Sequence, residues 1–95
     1  MAVGLLGAAM ASTSSWVSVY TVPSGVSHAI VHITLSASTS GAVRVNSTEI
    51  MYIPSSSSTG YNASRTDKVS MMLSPGSVVA VYGAGAACTV SGYTV

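Results

Sequence analysis

The sequence predicts an all-β fold, an antiparallel β-sandwich of jelly-roll-like character with about seven short strands. Three observations predict it. Apolar and polar residues alternate in stretch after stretch, the period that sends successive side chains to opposite faces of a strand. Clusters of Pro, Gly, Ser and Asn separate these stretches, at the spacing of about ten residues that short strands and tight turns require. No helical period survives beyond the N-terminal segment.

Trp16–Leu35 organises the rest. Trp16, Tyr20 and Val22 fall on one face of a first strand, Val17 and Val19 on the other. Pro23 fixes its own φ and lacks a backbone donor, so it ends that strand. Ser24, Gly25 and Ser27 make the turn. The next strand puts Ala29, Val31, Ile33 and Leu35 on one face, and His28, Ile30, His32, Thr34 and Ser36 on the other. One apolar face and one mixed face mark a half-buried antiparallel strand.

Short strands follow at Ala42–Asn46 and Glu49–Ile53, with a reversal at Ser47–Thr48. Arg44 and Glu49 flank that reversal and are placed to pair across it, an exposed pairing worth about 0–1 kcal/mol. Pro54 stops the strand, and Ser55–Ser64 reads as a long Ser-rich surface loop. Val69, Met71 and Leu73 then alternate with Ser70 and Met72. Ser74-Pro75-Gly76 is a strong turn, with Pro and Gly at the two central positions that favour them. Val78–Gly83 and Ala86–Val95 complete the set, the latter bent at Gly92.

Met1–Ala11 is apolar but interrupted by Gly4 and Gly7, which disfavour a helix. It has the apolar core and small-residue end of a secretory signal but no basic segment ahead of them, which favours an ordered arm. The expected division is therefore an arm over residues 1–15 and a sandwich over 16–95. An ordered apolar arm needs a surface to lie on, in its own subunit or a neighbour. Val3, Leu5, Leu6 and Met10 are its candidate contacts.

Composition narrows the function classes. The chain is 48% hydrophobic and 5% charged, against about 25% charged in an ordinary domain. So few charges favour association. A net charge of +1 gives no electrostatic footprint for nucleic acid, and no stretch reaches the ~20 apolar residues of a membrane-spanning helix. One cysteine, Cys88, rules out an internal disulfide and reads as a small buried hydrophobe.

Catalytic and metal chemistry find no purchase, and neither an enzyme nor a cofactor is expected. His28 and His32 share a strand face at a separation of about 13 Å, too far for one chain to chelate a metal with them. The carboxylates are Glu49 and Asp67 alone, with nothing that favours their acting as a pair. The serines lack a nucleophile elbow, and Gly83–Ala86 lacks the Lys and spacing of a phosphate loop. Asn46-Ser47-Thr48 and Asn62-Ala63-Ser64 match the glycosylation pattern, with no use expected. Most aromatics lie in strands. Tyr61, with Ser57, Thr59 and Asn62 around it, is the candidate for an outward contact.

Tyr20-Thr21-Val22-Pro23-Ser24-Gly25, Leu73-Ser74-Pro75-Gly76-Ser77 and the ending Ser91-Gly92-Tyr93-Thr94-Val95 resemble small β-sandwich structural proteins of tailed bacteriophages. Gly4-Leu5-Leu6-Gly7 is similar to the start of such proteins. The resemblance implies a virion component: a decoration, or cement, protein on the capsid exterior, or a part of the tail, neck or fibres. It implies a major capsid protein or other virion subunits as partners. A homotrimer with its arm gripping neighbouring capsid subunits is the expected assembly. A tail, neck or fibre module that touches a host glycan or a protein, another virion protein included, through the Ser55–Ser64 loop and Tyr61 is the alternative.

Overall fold

The computed structural model describes residues 3–11, 15–37, 40–53, 65–83 and 85–95. Among these the chain forms eight strands: β1 Val3–Ala11, β2 Val17–Thr21, β3 Ala29–Ala37, β4 Gly41–Val45, β5 Thr48–Ile53, β6 Arg65–Leu73, β7 Val78–Tyr82 and β8 Ala86–Thr94. They build two four-stranded antiparallel sheets, β1-β8-β3-β6 and β2-β7-β4-β5. That order, with β8 between β1 and β3 and β7 between β2 and β4, is the double Greek key of a jelly roll.

The core lies between the sheets and follows the alternation. Val31, Ile33 and Leu35 of β3 are fully buried, as are Val90 and Cys88 of β8. Val43 of β4 and Val79 and Val81 of β7 face them from the second sheet. Each such side chain contributes about 1.5–3 kcal/mol by leaving water. Gly76 takes φ 86° and Ser77 N–H donates to the Ser74 carbonyl at 3.1 Å. The Ser74–Ser77 turn thus has the form the Pro-Gly pair demands.

The segment read as an arm is a strand of the sandwich. Val3–Ala11 pairs with β8 along its length, so the strands number eight, not seven, and the sandwich begins at Val3. The surface this segment lies on is its own chain's β8. Alternation is blurred there because, beyond the bulged Leu6, the inward positions hold small residues: Gly7, Ala9 and Ala11 sit opposite Val90, Cys88 and Ala86. Gly7 is small for a reason. A Cβ there would run into the Val19 carbonyl of β2, where the two sheets close on each other.

A second correction concerns the β4–β5 reversal. The loop residues are Asn46 and Ser47, not Ser47 and Thr48. Asn46 takes φ 58°, a conformation that Asn tolerates better than most residues. Its backbone N–H donates to the Val78 carbonyl at 2.8 Å, and its Oδ1 accepts from Val78 N–H at 3.1 Å. The hairpin tip is thereby fastened to the start of β7.

Candidate interaction surfaces

Because residues directly opposite in an antiparallel ladder share a face, the register fixes what each sheet presents outward. On the β1-β8-β3-β6 sheet, Val3 pairs with Tyr93, Tyr93 with Ile30, and Ile30 with Met72. One apolar row therefore crosses all four strands. The next row is Leu5, Ser91, His32 and Ser70, in which His32 Nδ1 and Ser70 Oγ lie 2.6 Å apart in a hydrogen bond. Then come Ala8, Thr89, Thr34 and Lys68, and finally Met10, Ala87, Ser36 and Thr66. The face is apolar at one end and becomes polar toward the other.

Of the expected contacts, Val3 and Leu5 are exposed at 72% and 68%, and Met10 at 66%. Leu6 is not outward. A register shift between Leu5 and Gly7 makes it the extra residue of a bulge, and it packs against the core. Such a bulge re-aims one side chain without ending the strand. Ser57, Thr59, Tyr61 and Asn62 lie outside the described residues. Sequence reasoning missed Ile30, Met72 and Tyr93 as partners of Val3, since the four come from distant strands.

The outer face of β2-β7-β4-β5 carries an aromatic row. Trp16 and Tyr82 stack with centroids 5.1 Å apart and planes at 43°, near the arrangement aromatic pairs prefer. Tyr82 sits opposite Ala42, and Ala42 opposite Tyr52. The Arg44 guanidinium lies 4.3 Å from the Trp16 ring centroid, and its Nε is buried with no hydrogen-bond partner. This corrects the expected ion pair. Arg44 and Glu49 are cross-strand neighbours as expected, but Arg44 spends its charge on Trp16. A bulge at Val43/Arg44 offsets the hairpin rungs at that point. An open depression of about 400 Å³ beside Tyr52 is lined by Glu49, Ile50, Met51 and Tyr52.

The remaining reactive groups are dispersed. Cys88 is fully buried on β8, and that burial pushes its thiol pKa up to about 11, so it stays neutral at pH 7. Among the described residues no three His, Cys, Asp or Glu side chains gather to hold a metal ion. No helix of the described chain is long and apolar enough to cross a membrane.

These surfaces define a small jelly-roll sandwich with one apolar-ended sheet face and one aromatic-bearing sheet face. No family model matches the chain, and neither a curated protein nor a solved structure matches it.

Proposed function

We propose that the chain is a non-enzymatic structural subunit of a tailed-phage virion, a decoration protein seated on the capsid exterior as a homo-oligomer. The observation that carries this reading is the set of exposed apolar side chains on β1, Val3, Leu5 and Met10, beside an outer sheet face nearly free of charge. A chain with five charged residues has little charged surface to keep such a face in water. The jelly-roll strand order, which recurs in viral capsid domains, supports the reading by fold analogy alone, beside the resemblance of its turn motifs. A subunit bound only to the assembled shell stabilises that shell by mass action.

The test adds the full chain to purified shells and measures occupancy and shell melting. The native chain is expected to bind in hundreds of copies and raise the melting temperature. An Ala8→Glu/Met10→Glu variant, both changes on exposed β1 positions, with unchanged circular dichroism is expected to do neither. Binding of that variant at full occupancy would sink the reading. Point variants are preferable to deleting residues 1–11, which would strip a strand from β8.

The aromatic row favours a second reading, a tail or fibre module for a host glycan. Tyr52, exposed at 61%, borders the open depression lined by Glu49, Ile50 and Met51 and offers the aromatic surface on which a sugar ring would stack. A few copies per particle, with glycan-induced change in Trp16 fluorescence, would select this reading over the first.

A further inference from the structure

We infer that the apolar end of the β1-β8-β3-β6 face is the seat of a second copy of this chain, related by a two-fold axis running along the strands between β8 and β3. The inference rests on the reading that neighbours cover this face and names the first neighbour. Val3, Leu5, Tyr93 and Met72, exposed at 72, 68, 39 and 65%, present on the order of 500 Å², in the upper part of the ~300–600 Å² range of a typical monomer's largest patch and part of the ~800 Å² per partner of a standard interface. Ile30, Ser91, His32 and Ser70 lie in the same two rows and extend it.

The chemistry fits an uncharged protein face, as a second copy presents, better than a charged partner. Neither row contains Asp, Glu, Lys or Arg, so face-to-face docking desolvates no formal charge. Nucleic acid or an anionic lipid surface would need cations that these rows lack. The order of the first row is also self-complementary. It runs Val3, Tyr93, Ile30, Met72 across the sheet. The two-fold reverses it on the facing copy, so Met72 meets Val3 and Tyr93 meets Ile30. Each long or aromatic side chain then rests on a branched one, as sheet-on-sheet packing favours. The polar rows and Met10 stay free for the shell. The inferred two-fold pair stands in place of the expected trimer.

Two experiments on the full chain test this. Sedimentation is expected to give a dimer in the micromolar range, a Met72→Glu variant to give a folded monomer, and Thr89→Glu, in the third row, to remain dimeric. Separately, Val3→Cys and Met72→Cys variants are mixed under oxidation. Within one chain these sites lie three strand spacings apart, ~14 Å, beyond the ~7 Å Cα limit for a disulfide. A covalent dimer in the mixture, with little in either variant alone, is expected. A native monomer, a native trimer, a dimer indifferent to Met72→Glu, or equal cross-linking of the single variants would overturn the inference. A monomer that still decorates shells would sink the two-fold pair and spare the virion reading. A dimer that binds no shell would do the reverse.

Discussion

Arg44 lies over Trp16, its guanidinium carbon 4.3 Å from the ring centroid, although its cross-strand neighbour is the carboxylate-bearing Glu49. The contact joins β4 to the residue leading into β2, and Tyr82 of β7 packs against the same Trp16 ring. Glu49→Gln is therefore expected to change the unfolding free energy by less than about 0.5 kcal/mol. A double-mutant cycle of Arg44→Met and Trp16→Leu is expected to return a coupling of about 0.5–2 kcal/mol. Urea denaturation of the four chains measures both. A large Glu49→Gln effect with no Arg44–Trp16 coupling would restore the ion pair.

Gly92 is the second sensitive point. Its φ is 141°, and a Cβ would run into the Ile30 carbonyl oxygen at the centre of the sheet. That atom belongs to backbone and cannot swing aside. Gly92→Ala is expected to cost about 3 kcal/mol or more. Gly25→Ala, where a Cβ meets nothing within 4 Å, is expected to stay within about 0.5 kcal/mol. Thermal melts of the two variants decide whether position or residue type matters.

Much of the fold was legible, and the failures have physical causes. In β3 the alternation of Ala29, Val31, Ile33 and Leu35 with His32, Thr34 and Ser36 is a long period-two signal, and the core follows it. In β1 the same period was hidden, because Gly7, Ala9 and Ala11 face inward where small size is required by close packing. The Arg44–Trp16 contact was out of reach because a bulge offsets the local hairpin and the partner comes from another strand. The row from Val3 to Met72 depends on the order β1-β8-β3-β6, a non-local property that no single stretch encodes. Val3, Leu5 and Met10 were named as apolar residues of an arm outside the sandwich, whereas their exposure follows from the place of β1 at the edge of its sheet.

Cys88 supplies a pH-dependent prediction. Burial raises its thiol from 9.0 to about 11 in the folded chain. The unfolded chain therefore gives up that proton first as pH rises, and the contribution is intact below pH 9 and lost toward pH 11. Stability is expected to fall across that window, and Cys88→Ala to remove this part of the slope. At pH 7 the native thiol is expected to resist an aromatic disulfide reagent until the chain unfolds. Rapid labelling of the folded protein would show that β8 opens without global unfolding.

The most direct test compares two methionines on one sheet face. Met72 and Met10 are exposed at 65% and 66% in the single chain, whereas Met51 is buried. Oxidative footprinting of the full chain in solution reads all three at once. If a second copy covers the apolar end, Met72 is oxidised several-fold more slowly than Met10 at high protein concentration, and dilution brings the two rates together. Equal rates for Met72 and Met10 at every concentration, with Met51 protected throughout, would contradict the account.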